Sequence, residues 1–219
     1  MKTLILNGSP KGATGNTHLF IEQFNAGMTS PCEVRLICKE DPRTLAQALR
    51  AFDTILIVMP LYIHAMPAIV QKLFEQMQPC ETSGKSIGFL IQFGFAERSM
   101  SQYLERYLPS LARRLHYTYL GTVVKSNAAG VCMMPRFFSR KLFRRLRALG
   151  KAYEQSGTFD PAMAKAIAKP EQLSRFTLKL LLSPRLQRLN DFTWNAMLKS
   201  NDALENCYDR PFADVPNEP

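Results

Sequence analysis

The sequence predicts an α/β domain with a doubly wound, parallel sheet of five strands, followed by a helical extension. Two observations carry this prediction. Short apolar runs alternate with amphipathic stretches over the first 125 residues, and several runs are nearly continuous Ile, Leu and Val. Such runs are typical of parallel strands covered on both faces. Because strand–helix alternation implies right-handed crossovers, we expect the strand order 2-1-3-4-5.

The five strands are predicted from the apolar runs themselves, which are Lys2–Asn7, Glu33–Cys38, Thr54–Met59, Lys85–Gln92 and Thr118–Lys125. The stretches between them have apolar residues at helical spacing, with a polar opposite face. Pro67 suits the first position of the third helix, because its missing N–H would be unpaired there anyway. The four predicted helices are Thr17–Ala26, Pro42–Phe52, Pro67–Met77 and Met100–Leu115.

The pattern changes after Lys125. Ser126–Pro135 is predicted as a loop, and Arg136–Gln155 as a strongly basic helix with one apolar face toward the sheet. The chain then continues in helical pieces that Pro170 and Pro184 interrupt. We therefore expect an α/β domain over residues 1–155. Residues 156–219 are expected to form a basic helical extension with an acidic tail, packed on the same domain.

Composition excludes several classes of protein. No apolar run reaches the roughly 18 residues of a membrane span, and the N-terminal segment predicts a buried strand rather than a signal peptide. A cytoplasmic protein is therefore expected. The five cysteines are scattered without a CxxC pair, and the three histidines are dispersed. Neither an iron–sulfur cluster nor any other metal site is predicted.

The net charge of +10 is confined to one late segment. Between Arg136 and Lys199 there are 14 basic and 4 acidic residues, whereas the rest of the chain is balanced. Leu173–Leu189 mixes Leu and Phe with Lys and Arg, as an interfacial amphipathic segment does. Residues 136–200 therefore indicate either a helical cover of the core or a peripheral contact with a membrane or another polyanion. A nucleic-acid partner is not expected.

The strongest local signal is the loop between the first strand and the first helix. Over Leu4–Phe20 an apolar strand leads into a loop with three glycines, and a helix opens at Asn16-Thr17. Such a loop places backbone N–H groups and small hydroxyls at the positive end of a helix, which suits a phosphate dianion. The spacing matches neither a Walker A loop nor a GxGxxG fingerprint. The loop is therefore either a phosphate site or an ordinary glycine-rich turn.

Two motifs together resemble those of the NAD(P)H-dependent FMN reductases of flavodoxin-like fold. The first is Asn7-Gly8-Ser9-Pro10 followed by Asn16-Thr17, and the second is the run PLYIHAMP from Pro60 to Pro67. The resemblance covers roughly residues 1–125. It implies that the FMN phosphate is held in the loop around Gly15 by Ser9, Asn16 and Thr17, with Lys11 nearby. It also implies that the isoalloxazine ring is lined by Pro60, Leu61, Tyr62 and Ile63.

A third loop follows the fourth strand, and in the family this position reaches the flavin ring. The residues here are Gln92, Phe93 and Gly94, with Phe95 next in the chain. Gly94 supplies flexibility, while the two phenylalanines either stack on the ring or fill the core. Backbone N–H groups of this loop are expected to stabilise negative charge on the reduced ring.

The resemblance implies an FMN-dependent oxidoreductase that takes hydride from NAD(P)H and reduces a small acceptor. The acceptors typical of the family are quinones, free flavins, nitro or azo compounds and ferric chelates. Because the flavin itself performs the chemistry, no catalytic side chain is expected. Homodimers with the active site at the subunit junction are common in the family and are expected here. A flavodoxin-type electron carrier is the alternative, although such carriers usually have an acidic surface.

Overall fold

The computed structural model has a parallel sheet in the order β2-β1-β3-β4-β5. The structure describes residues 2–81, 84–133, 135–168 and 170–210. The strands are β1 (Thr3–Asn7), β2 (Glu33–Leu36), β3 (Thr54–Pro60), β4 (Ser86–Gln92) and β5 (Thr118–Lys125). The predicted fold class and strand order are confirmed. Strand β2 ends earlier than predicted, because β1 ends at Asn7, which pairs with Leu36 and leaves later residues no partner.

Side chains of the central strands alternate between two cores, which explains their continuous apolar runs. Leu4 and Leu6 lie in the core beneath one layer of helices, whereas Ile5 lies in the core on the opposite face, and all three are fully buried. Successive side chains of a strand point to opposite faces. A strand between two helical layers therefore needs apolar residues at every position.

One face of the sheet is covered by α2 (Pro42–Ala48), α3 (Ala68–Gln76) and α4 (Gln102–Arg114). The other face is covered by α1 (Asn16–Asn25), α5 (Arg136–Ser156) and α6 (Pro161–Ala168). Helix ends follow local sequence signals. The Asp41 carboxylate accepts a hydrogen bond from Thr44 N at 2.9 Å before α2, and Gly157 ends α5 in the left-handed region.

Helices α1 and α5 approach each other closely at two glycines. A Cβ on Gly150 of α5 would lie 2.0 Å from the carbonyl oxygen of Phe24 in α1. A Cβ on Gly27, just after α1, would lie 1.9 Å from the carbonyl oxygen of Arg147. Both obstacles are backbone atoms, which cannot rotate away as a flexible side chain can. The packing of α1 against α5 therefore depends on two positions without side chains.

The chain divides into two compact units, the first ending at Gln172 and the second beginning at Leu173. The first unit extends past residue 155, because α6 packs with Ile167 and Ala168 buried. The second contains α7 (Arg175–Leu181) and α8 (Pro184–Ser200), with Phe176 and Trp194 among its exposed residues. Among the described residues, no helix is both long and apolar enough to cross a membrane. The predicted acidic tail is described only as far as residue 210.

Candidate functional site

The candidate site lies where four loops leave the carboxyl ends of neighbouring strands. These loops follow β1, β3, β4 and β5, and backbone hydrogen bonds tie them to one another and to adjacent strands. Leu61 N donates to Gln92 O at 2.9 Å, and Ala128 N donates to Phe93 O at 2.8 Å. Gly8 N donates to the β3 carbonyl of Val58 at 2.8 Å. Open α/β sheets bind ligands at this edge, near the point where the strand order reverses.

The buried side chain of Asn7 fixes the shape of the first loop. Its Oδ1 accepts a hydrogen bond from Ser9 N at 3.0 Å, and its Nδ2 donates to Gly12 O at 2.8 Å. Gly12 and Gly15 have φ values of 60° and 89°, which glycine adopts without strain. Asn7 is therefore a positioning residue. The sequence indicated it only as part of a motif.

The start of α1 is open to an anion. Its N-cap residue, Gly15, offers no side-chain cap, and the first turn has no acidic residue. In the described part of the chain, no acceptor bonds the backbone N–H groups of Asn16, Thr17 and His18. Three unpaired donors at the positive end of a helix dipole are what a phosphate dianion requires. The residues present therefore fit the phosphate of FMN.

Two buried hydroxyls belong to the same loop and helix start, those of Ser9 and Thr17. Ser9 Oγ accepts a hydrogen bond from Lys11 N at 3.2 Å, and Thr17 Oγ1 accepts one from Gln92 Nε2 at 3.2 Å. Each hydroxyl therefore keeps its own hydrogen free to donate. Gln92 was predicted at the flavin ring, and the structure places its side-chain amide on Thr17. The Lys11 side chain is exposed.

The side chain of Asn16 binds the loop after β5. Its Nδ2 donates to the carbonyl oxygens of Ala128 and Ala129, and its Oδ1 accepts a hydrogen bond from Cys132 N at 2.8 Å. With the amide occupied, the unpaired donor of Asn16 is its backbone N–H. The sequence predicted residues 126–135 only as a loop, and no motif marked them as part of the site.

A tight turn after β3 projects two side chains at the mouth of the site. Tyr62 N donates to Ala65 O at 2.9 Å and Ala65 N donates back to Tyr62 O at 3.0 Å. This pairing puts Ile63 and His64 at φ values of 47° and 64°. Positive φ is unfavourable for a β-branched residue and persists only where surrounding contacts enforce it. The hydrogen-bonded pair of Tyr62 and Ala65 holds the turn, and the side chain of Ile63 is 91% exposed beside the partly exposed Tyr62.

His64 braces this turn against the start of α4. Its Nδ1 lies 2.9 Å from Met100 O, and its ring packs edge-on against Tyr103 with centroids 6.3 Å apart. Because the carbonyl accepts, Nδ1 carries the hydrogen of this bond. His64 therefore positions the strained turn at the mouth of the site.

The loop after β4 separates its two phenylalanines. Phe93 is buried in the core and its N–H donates to Lys125 O at 3.1 Å, whereas Phe95 is 58% exposed. Within the described ranges, the N–H groups of Gly94 and Phe95 have no acceptor. A Cβ on Gly94 would lie 3.1 Å from the Cβ of Ala129, so the close approach of this loop to the loop after β5 favours glycine.

A half-buried lysine adds positive charge at the end of β5. Lys125 pairs with Gln92 across the sheet, and its Nζ donates to Ser126 O. Burial, together with the nearby charge of Arg145, lowers the pKa of Lys125. Desolvation disfavours the charged form of a lysine, and a second cation acts in the same direction.

The strand order and the loops together define a flavodoxin-like domain whose first helix has an uncapped start. A sequence model of the family described as NADPH-dependent FMN reductase matches residues 1–130, more than half of the chain. The chain belongs to this family and is an NAD(P)H-dependent FMN oxidoreductase, with FMN as cofactor and NAD(P)H as co-substrate. No protein of curated function shows significant similarity to its sequence.

Solved structures of low sequence identity share the fold. An NADPH-quinone reductase from P. pentosaceus is 18% identical with a TM-score of 0.54, over 71% of this chain and 99% of its own. The FMN-dependent NADH-azoreductase from Bacillus anthracis, solved with FMN, is 13% identical with a TM-score of 0.54, over 70% and 100%. The NAD(P)H:quinone oxidoreductase from Methanothermobacter marburgensis is 12% identical with a TM-score of 0.55, over 70% and 97%.

Replacing Asn16 by alanine is expected to weaken FMN binding about fivefold to tenfold, because the loop after β5 loses its anchor and the start of α1 becomes less ordered. Asn25→Ala is the matched control. Asn25 lies on the same helix and exchanges two hydrogen bonds with the backbone of Cys32, away from the site. Each variant is expected to lose about 1–3 kcal/mol of unfolding free energy. Fluorescence titration with FMN and urea unfolding measure both effects, and equal FMN affinities of the two variants would contradict the anchoring role.

Proposed function

We propose that the FMN phosphate binds at the start of α1. The backbone N–H groups of Asn16 and Thr17 and the hydroxyls of Ser9 and Thr17 donate to it, and Lys11 adds positive charge from the loop. The observation that carries this proposal is the uncapped helix start, whose N–H groups have no acceptor within the described residues. Gly15 leaves room for the phosphate, because it has no Cβ.

We place the isoalloxazine ring across the loops after β3 and β4. Pro60, Leu61, Tyr62 and Ile63 line one side, and the loop of Gln92, Phe93 and Gly94 borders the other. When bound, FMN supplies the redox chemistry, since its ring can accept a hydride and later donate it. The protein excludes water with Tyr62 and Ile63, and the free N–H groups of Gly94 and Phe95 donate toward negative charge on the ring. This arrangement needs no catalytic side chain.

The proposed reaction takes hydride from NAD(P)H and passes its two electrons to a small acceptor, which is a quinone, a free flavin, a nitro or azo compound or, one electron at a time, a ferric chelate. Two of the structural neighbours are quinone reductases and one is an azoreductase. We also propose a homodimer, because Tyr62, Ile63 and Phe95 expose apolar surface at the mouth of the site that a second subunit would cover. The five cysteines are free thiols, which supports the cytoplasm as location.

The proposal is tested on the purified full-length chain by its absorbance spectrum and by identification of the released chromophore. We expect a yellow protein that releases FMN and oxidises NADPH when a water-soluble quinone is added. A protein that stays colourless in excess FMN would contradict the site. Bound FMN with almost no oxidation of NADH or NADPH would instead favour an electron carrier.

A further inference from the structure

The first turns of α5 expose an aromatic pair on the surface of the first unit. Phe137 and Phe138 are 63% and 65% exposed, and their ring centroids lie 3.9 Å apart. Met133, just before the helix, is 70% exposed. These three residues form an apolar surface that we call the α5 patch. Exposed large apolar side chains that cluster in this way mark an interaction surface.

Unpaired positive charge surrounds the α5 patch. Between Ser126 and Tyr153 the chain has seven basic residues and no acidic one: Arg136, Arg140, Lys141, Arg144, Arg145, Arg147 and Lys151. Arg145 and Arg147 donate to neutral oxygens, of Ala166 and Gln23. The exposed residues Arg136, Arg140, Lys141 and Arg144 form no ion pair with any residue that the structure describes.

The buried face of α5 packs on the first unit through residues further along the helix. Phe143, Leu146 and Leu149 are buried, and Leu146 and Leu149 belong to the core that also contains residues of α1. The exposed phenylalanines are therefore not required to attach the helix to the domain. Since the two exposed phenylalanines do not belong to this core, their exposure to solvent indicates some other role.

We propose that the α5 patch binds a membrane surface that contains anionic phospholipids. Met133, Phe137 and Phe138 insert among the headgroups, while the guanidinium and ammonium groups around them contact lipid phosphates. A second copy of the chain is a poor occupant, since it would oppose two surfaces of the same positive charge. Nucleic acid is less suitable because the two rings lie against each other, tilted by 32°, and do not present separate faces for two bases.

Docking in this way brings the flavin site to the lipid surface. Asn16, at the proposed phosphate site, anchors the same loop that leads into α5, through its bonds to Ala128, Ala129 and Cys132. An acceptor dissolved in the membrane, such as a lipophilic quinone, would then reach the flavin. This choice of acceptor rests on the proposed function, whereas the binding to lipid does not.

The test is co-sedimentation of the full-length chain with vesicles of phosphatidylcholine and phosphatidylglycerol in equal amounts. We expect binding that weakens steeply with salt and is at least about tenfold weaker with phosphatidylcholine alone. Arg140→Glu with Lys141→Glu should weaken binding by at least about fivefold per replaced charge. Phe137→Ser with Phe138→Ser should weaken it by at least about tenfold, because burial of two aromatic side chains is lost.

Two controls identify the surface. Tyr107→Ser removes an exposed aromatic residue of α4, and Phe176→Ser removes one from the second unit. Both are expected to bind vesicles as the unchanged chain does. Loss with Phe176→Ser but not with the Phe137/Phe138 variant would overturn the proposal, and so would unchanged binding of the Phe137/Phe138 variant. Equal affinity for duplex DNA, insensitive to the loss of both phenylalanines, would overturn it in favour of a nucleic-acid site.

Two further measurements separate lipid binding from the redox function. Thermal unfolding should show that the variants stay folded. NADPH oxidation with a water-soluble quinone should be unchanged, because the replaced residues lie on α5 and outside the four loops of the candidate site. Failure to bind vesicles with normal NADPH oxidation would overturn the lipid proposal alone. Vesicle binding without NADPH oxidation would leave the lipid proposal intact and contradict the proposed function.

Discussion

Gly15→Ala is expected to lower FMN affinity about 10- to 100-fold while the protein remains folded. Gly15 has φ 89° and ψ −175°, a backbone region that is open almost only to glycine. Forcing a side chain into it costs on the order of 1–3 kcal/mol, either as strain or as a displaced loop. Gly15 is the N-cap of α1, so a displaced loop misaligns the N–H groups that are proposed to bind the phosphate. Titration with FMN and urea unfolding measure the two effects.

Thr14→Ala is the matched control for this change. Thr14 is the neighbouring residue of the same loop, is exposed, and its hydroxyl donates to Lys11 O at 2.9 Å. An exposed hydrogen bond contributes little, so we expect less than about a threefold change in FMN affinity. Comparable losses of FMN affinity in both variants would mean that any change in this loop weakens binding, so that the effect would not be specific to Gly15. Normal affinity of Gly15→Ala would contradict the proposed phosphate site.

Gly150→Ala is expected to lower the free energy of unfolding by about 3 kcal/mol or more. The added methyl group would lie 2.0 Å from Phe24 O, and relief requires α5 to move away from α1 by an ångström or more. Overpacking of this kind usually costs about 1–3 kcal/mol, and more where the obstacle is backbone. The gain in helix propensity from glycine to alanine is only about 1 kcal/mol, so the clash dominates.

Lys151→Ala is the control, because it alters the exposed neighbour on the same helix and should change stability by less than about 0.5 kcal/mol. Gly27→Ala affects the same helix crossing from the other side. If the methyl group of one variant has already moved α5 away from α1, the methyl group of the other variant meets a smaller clash. We therefore expect the double variant to lose less stability than the two single losses added together. A Gly150→Ala protein as stable as the unchanged chain would show that the helices separate freely.

The resemblance to a family located the proposed cofactor loops, and the structure assigned individual side chains within them. The sequence grouped Asn16 with the phosphate ligands and Gln92 with the ring contacts. In the structure the Asn16 amide holds residues 128–132, and the Gln92 amide binds Thr17. Phe93, for which stacking and core positions were both open, lies in the core. Which site residues touch FMN stays a prediction.

The sequence by itself determined the strands, the helices and their order, because these follow from periodicities within a few neighbouring residues and from rules of chain connection. Only the tertiary structure decided that Asn16 binds Cys132, 116 residues away, that Gly150 contacts Phe24, and that the α5 patch faces outward. These contacts join segments distant in the chain, and no local pattern encodes such a distance. The partner of a side-chain hydrogen bond and the distance between two helix backbones are fixed only when the helices have packed.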